Sequence, residues 1–176
     1  MIIEITEQAK IDARKYQDHI RGKGITDEGN YTGLSEQDRW YFGYLGEWAF
    51  NEFLKINDAK KVIEWQRDAN GFADDGDFFF DAKIIDVKTA TKPFHKNLMM
   101  PDAQFQRKKK DFYVAVRLTG DDAEILGFAT TKDFEDAGIK NFGYVSIRAI
   151  LFTKLRKIEE LLSQQILKKW EQKCQD

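Results

Sequence analysis

The sequence predicts an α/β (α+β) fold, a central mixed β-sheet flanked by helices. Three observations carry this reading. Apolar residues recur at three- and four-residue spacing in long segments toward both ends of the chain, the pattern of amphipathic helices. Short runs rich in β-branched and aromatic residues gather between residues 62 and 129. At 176 residues the chain has single-domain size and can bury a sizeable core.

Taken in order, a first helix runs from Ile5 to about Arg21, with Ile5, Ala9, Ala13 and Tyr16 on one stripe. Gly22 to Gly33 is rich in glycine and reads as a loop. Ser35 is an N-cap with an acid, Asp38, three residues on, and it opens a helix to about Leu54. Val62 to Trp65 is a short strand, and residues 77–89 form a hairpin. Pro93 and Pro101 bracket a loop, and Asp102 begins a short helix that runs into Arg107-Lys108-Lys109-Lys110. Asp111 to Arg117 is the clearest strand, Glu124 to Ala129 is another, and Thr131 opens a short helix that Gly138 ends. After Tyr144-Val145-Ser146-Ile147 a long amphipathic helix is expected from about Thr153 to Lys173, striped by Leu155, Ile158, Leu162, Ile166 and Trp170. The chain reads as one domain over 1–176 with a core of about 36–130, to which helices 5–21 and 153–173 are additions.

Composition excludes several classes. One cysteine, Cys174, allows neither an internal disulfide framework nor a cysteine-based zinc site, which suits a reducing compartment. No apolar stretch approaches the roughly 20 residues needed to cross a bilayer, and the N-terminus lacks a signal pattern, so the expectation is a cytoplasmic protein without membrane partners. The net charge of −2 does not advertise nucleic-acid binding, but distribution matters more than the total. Arg107-Lys108-Lys109-Lys110 forms one dense basic run, and Lys83, Lys88, Lys92, His95 and Lys96 gather around the hairpin in sequence.

The hairpin is where chemistry concentrates. On the run Ile84-Ile85-Asp86-Val87-Lys88-Thr89, Asp86 and Lys88 point to one side because side chains alternate along a strand. With an even loop, Phe80 faces Lys83, Phe79 faces Ile84 and Asp77 faces Asp86. Opposed residues have Cβ atoms roughly 4.5–5.5 Å apart. Two carboxylates at that separation repel, and a divalent cation with oxygen ligands suits the gap. Four acid-x-Lys triplets occur, at 58–60, 81–83, 86–88 and 171–173, and only Asp86-Val87-Lys88 lies on an apolar strand with a second acid across from it. A plain surface ion pair, worth about 0–1 kcal/mol, is the bland alternative.

These residues resemble the PD-(D/E)XK nuclease superfamily, the restriction-endonuclease-like fold. A helix there carries a glutamate, often after glycine, as Gly46-Glu47 does here. A hairpin then presents an aspartate, matched by Asp77, and an Asp/Glu-x-Lys triplet, matched by Asp86-Val87-Lys88. The likeness spans roughly Trp40 to Arg117. The proline that often precedes the first aspartate is replaced by Gly76, which leaves Asp74 and Asp75 as rivals to Asp77; the hairpin register favours Asp77.

The resemblance implies a metal-dependent endonuclease acting on DNA, with Glu47, Asp77, Asp86 and Lys88 as catalytic residues. Magnesium or manganese would be held by Asp77, Asp86, the carbonyl of Val87 and Glu47. Lys92, Lys96, Gln104, Arg107, Lys108, Lys109 and Lys110 would contact the nucleic acid. A homodimer suits a two-fold DNA target. Tyr31, Tyr41 and Tyr44 are further candidates for stacking on bases, though aromatic residues on a long helix more often belong to the core. Two rivals stand beside this reading: a non-catalytic nucleic-acid-binding module on the same fold, and a hydrolase of small phosphate esters.

Overall fold

The computed structural model describes residues 1–23, 34–59, 63–65, 77–80, 82–142 and 145–163. Its centre is a curled six-stranded sheet flanked by helices, as the α/β reading expects. In chain order the elements are β1 (Ile2–Glu4), α1 (Glu7–Gly22), α2 (Glu36–Ile56), β2 (Glu64–Trp65), β3 (Phe78–Phe80) and β4 (Lys83–Ala90). They continue with β5 (Asn97–Pro101), α3 (Asp102–Arg107), β6 (Phe112–Thr119), β7 (Asp122–Thr130), α4 (Thr131–Asp136), β8 (Lys140–Phe142) and β9 (Val145–Leu151).

The main sheet has the order β1-β7-β6-β4-β3-β2, and within it only β4 and β6 run parallel. Their connection carries β5 and α3, as a parallel pair requires a crossover. Alternation along each strand then divides the interior in two. Ile85, Val87, Val114 and Val116 face α1 and α2, with Phe50, Phe53 and Leu54 of α2 filling that side. Tyr113, Ala115 and Ala129 face the opposite way, against Leu98, Met100, Phe105, Phe134 and Ile150.

That second side corrects the sequence reading. Residues 97–101, expected as loop, form β5, and together with β8 and β9 they make a three-stranded sheet of order β5-β9-β8. The expected helical cover on this face is therefore a small sheet with α3 and α4. The run Asn97-Leu98-Met99-Met100-Pro101 alternates in burial as a strand should, but two prolines nearby obscured it. Buried Arg148 of β9 fastens this layer. Its Nε donates to Asp102 Oδ1 at 2.6 Å, its Nη1 donates to the carbonyls of Phe134 and Glu135, and its guanidinium lies over the Phe105 ring.

Two boundaries also move, and one strand is added. Ile5 precedes the first helix, whose N-cap is Thr6, and Ile2–Glu4 add an unforeseen edge strand. The C-terminal helix does not begin at Thr153. Residues 152–154 make a 3₁₀ turn, Arg156 bridges to Phe128, and helix resumes over 158–163. Gly127 makes room for that bridge: it has φ +138°, and a Cβ there would stand 2.4 Å from the Arg156 carbonyl oxygen. Ile166 and Trp170 of the expected stripe lie outside the described residues, as does most of the 22–33 loop, including Tyr31. Ile3, Ala9 and Ala13 on one side and Ile158, Leu161 and Leu162 on the other join the same buried cluster as α2. No helix among the described residues is long and apolar enough to cross a membrane.

Candidate active site

Helix α2 starts where the sequence places its cap. Ser35 Oγ accepts from the Asp38 N–H at 3.0 Å and donates to the Asp38 carboxylate at 2.7 Å. The helix then lies against β4 with unusual closeness at one point. A Cβ on Gly46 would stand 2.0 Å from Thr89 Oγ1 and 3.2 Å from Thr89 Cβ, so only glycine permits this approach. The next residue is Glu47, which the close contact carries to the rim of the sheet. Its Oε2 accepts a hydrogen bond from Trp65 Nε1 at 3.1 Å. The Trp65 ring is itself fixed by stacking on Phe78, with centroids 5.9 Å apart and planes 10° from parallel.

The hairpin register is the expected one: Phe80 opposes Lys83, Phe79 opposes Ile84 and Phe78 opposes Ile85. One step further lies Asp77, just before β3 begins, where continuing this register would set it against Asp86. Its own N–H donates to the Ile85 carbonyl at 3.0 Å, and its Oδ2 accepts from the Val87 N–H at 2.6 Å. The Asp77 side chain thus takes the place of a strand partner. The Val87 carbonyl leaves β4 on the same edge as its N–H, as antiparallel geometry dictates, and so points to the Asp77 side.

Asp86 is buried, with 7% of its surface exposed, and Lys88 is half-buried. Lys88 Nζ lies 2.9 Å from Asp86 Oδ2 as an ion pair, yet the angle is not that of a hydrogen bond. Loss of hydration, followed by the charges of Glu47 and then Asp86, pushes the Asp77 carboxyl well above the usual carboxylate range. The Val87 N–H and Lys88 pull in the other direction and do not prevail. Asp77 therefore senses two other acids, Glu47 of α2 and Asp86 of β4, as well as Lys88.

The predicted nucleic-acid contacts divide. Lys92 and Lys96 are exposed on the segment after β4, and Arg107 is exposed at the end of α3. Gln104 and Lys108 are half-buried, with the Lys108 N–H donating to the Gln104 carbonyl. Lys109 forms an ion pair with Glu135 at 2.7 Å and lies over the Phe105 ring. Lys110 is buried at 7% exposure; its N–H donates to Tyr113 Oη at 2.9 Å and its carbonyl accepts from the Thr131 hydroxyl. The dense basic run is thus partly structural, because it lies in the turn that seats α3 beside β6. Tyr41 and Tyr44 are packed against the core, and Tyr44 meets both Tyr16 and Trp65, which serves folding rather than base stacking. Asp74 and Asp75 lie outside the described residues. Trp65, which holds Glu47, was not foreseen as part of the site; an isolated tryptophan on a two-residue strand carries no signal in sequence.

Among the described residues, no group of three or more His, Cys, Asp or Glu forms a ready-made metal cage. Comparison with known proteins finds no matching family model, no matching curated protein and no matching solved structure.

Proposed function

We propose that this protein is a metal-dependent endonuclease that hydrolyses phosphodiester bonds in DNA, with Glu47, Asp77, Asp86 and Lys88 at its centre. The observation that carries the reading is the bond from the Val87 N–H to Asp77 Oδ2, which holds Asp77 next to the buried Asp86, with Lys88 2.9 Å from the latter. Support comes also from topology: a glutamate-bearing helix, a hairpin, and then the core strand β6 follow in the order that the nuclease resemblance implies.

The residues fit a hard divalent cation. Asp86 Oδ2 is buried without a hydrogen bond, and burial, then the charges of Glu47 and Asp86, push the Asp77 carboxyl well above the usual carboxylate range, a cost that a cation would offset. Magnesium commonly takes only one or two carboxylates and completes its shell with water and substrate phosphate, so a full protein cage is not required. Asp77 and Asp86 would hold it, with the Val87 carbonyl and Glu47 alongside. The chemistry supplied by such an ion is charge neutralisation at the phosphate and acidification of the attacking water. Lys88 does the rest. In its neutral form its amine accepts the proton of the water that attacks phosphorus; protonated, it steadies the negative phosphate. Glu47, held by Trp65, orients water at the edge of the site.

The test is cleavage of supercoiled plasmid, single-stranded and branched DNA with Mg²⁺, Mn²⁺ or EDTA. Wild type should nick or linearise DNA only with metal, and Asp86→Ala and Lys88→Ala should not. Independently of activity, Mg²⁺ should raise the thermal midpoint of wild type and leave Asp86→Ala unmoved, since a ligand stabilises only the state that binds it. Inert wild type with no metal-dependent shift would refute the reading. Double-strand cleavage needs two active sites, and a homodimer would supply them.

A further inference from the structure

The segment that follows β4 has a feature the nuclease reading does not use. The His95 N–H donates to the Lys92 carbonyl at 3.0 Å, closing a four-residue turn Lys92-Pro93-Phe94-His95. Proline at the second position presets this turn. The third position is normally the place of small or polar residues. Here it is Phe94, 72% exposed and the most exposed large apolar side chain among the described residues. His95 meets the ring edge to face, with centroids 5.1 Å apart and planes at 85°. Lys92 and Lys96 on either side are exposed and form no ion pair among the described residues.

Position gives the turn its meaning. β4 runs on only four residues beyond Asp86, to Ala90, which at 3.3 Å per residue is about 13 Å. An exposed aromatic face between two exposed cations, on the segment that follows the acid-bearing strand, matches what single-stranded nucleic acid needs: a ring to stack on and charges that follow the backbone.

We propose that this turn binds an unpaired nucleobase, with Phe94 as the stacking platform and Lys92 and Lys96 on the flanking phosphates. The inference rests on the nuclease reading and narrows its substrate to DNA with single-stranded character, such as gaps, flaps or branches. An intact duplex offers no open base face at this point.

The experiment measures binding of a labelled single strand, a gapped duplex and an intact duplex by fluorescence anisotropy in EDTA, together with cleavage of each in Mg²⁺. Phe94→Ala should weaken binding to the single strand and the gapped duplex about 5- to 100-fold and change intact duplex less than twofold. Phe94→Trp should restore it. Lys92→Ala and Lys96→Ala should each lower the salt dependence by about one phosphate contact. Because Phe94 is exposed, circular dichroism should show these variants folded. Equal binding of all three DNAs by wild type and Phe94→Ala, with metal-dependent cleavage intact, would overturn the stacking site and leave the nuclease standing. Equal loss on all three would also overturn it. Wild type that neither binds nor cleaves any of them would remove both proposals.

Discussion

The contact between Gly46 and Thr89 makes a prediction whose sign depends on the structure. In an exposed helix interior, replacing glycine by alanine stabilises by about 1 kcal/mol, because alanine loses less backbone entropy. Gly43, one turn earlier on α2, is such a place, with nothing within 4 Å of a Cβ built there. Gly43→Ala should therefore raise stability by about 0.5–1 kcal/mol. Gly46→Ala should do the reverse. The new methyl would stand 2.0 Å from Thr89 Oγ1, and rotating that side chain gives little relief, since its Cγ2 and Cβ lie at 3.3 and 3.2 Å. Overpacking of this kind costs roughly 2–3 kcal/mol, which outweighs the propensity gain and leaves a net loss of about 1–2 kcal/mol. For a chain of this length that is a fall of roughly 2–8 °C in thermal midpoint, readable by urea or thermal unfolding. Thr89→Ala removes the nearest atoms, so the double variant should recover about 1 kcal/mol of the loss. A Gly46→Ala protein as stable as Gly43→Ala would refute the close approach, and with it the placement of Glu47.

Three further outcomes are expected. Trp65→Phe keeps most of the stacking on Phe78 but removes the Nε1 donor to Glu47; stability should fall by about 1 kcal/mol, while DNA cleavage should slow about tenfold, and an unchanged rate would detach Glu47 from the chemistry. Asp133 is held down to about 2, from 3.8, chiefly by the Arg156 guanidinium and then by the Thr130 N–H and hydroxyl. Its folded value is depressed, so its stabilisation is complete above about pH 4 and fades as pH falls through 2. With Arg156 half exposed that amounts to about 1 kcal/mol, visible as a wild-type advantage over Asp133→Asn in urea midpoints at pH 6 that shrinks toward pH 2. Arg148→Ala leaves the Asp102 carboxylate and two carbonyls without their buried donor and should cost about 3–5 kcal/mol; a loss below 1 kcal/mol would show that Arg148 does not fasten the small sheet.

How much was legible follows from what kind of pattern each element rests on. The hairpin register could be read because a two-residue offset between Phe80 and Lys83 leaves little choice, and an alternating strand then fixes every later pair. Helix α2 was legible from its serine cap and apolar spacing. β5 was not, because its pairing partner β9 lies some fifty residues away and nothing local distinguishes Asn97–Pro101 from a loop between prolines. Nor was the closeness of α2 to β4: Gly46 announces only that a side chain is missing, and Thr89 supplies the reason in space. The basic run misled for a related reason. Charge is visible in sequence, but the ion pair of Lys109 with Glu135 and the burial of Lys110 depend on α4 returning beside α3.

The plain alternative to a catalytic site is an ion pair on the surface, and burial weighs against it. Exposed pairs form cheaply because water screens them. Asp86 is 7% exposed, and its Oδ2 has an ion-pair neighbour but no hydrogen bond. Thr89 Oγ1, three residues on, is also buried without a partner. Asp77 across the hairpin is pushed well above the usual carboxylate range by burial first and by the charges of Glu47 and Asp86 next. Each of these opposes folding; Asp77 and Asp86 lie together at one edge, while Thr89 faces Gly46 of α2 on the other side of β4. Burial without a partner is not confined to that edge, since Asn51 Oδ1 and Arg117 Nε share it, but buried Arg148 in the other layer is met by three acceptors. A fold that tolerates unfavourable electrostatics at one edge while satisfying them so fully in another layer has a use for that edge. A cation bridging Asp77 and Asp86 would turn the same repulsion into binding energy, so the metal-dependent rise in thermal midpoint separates the two readings without any substrate.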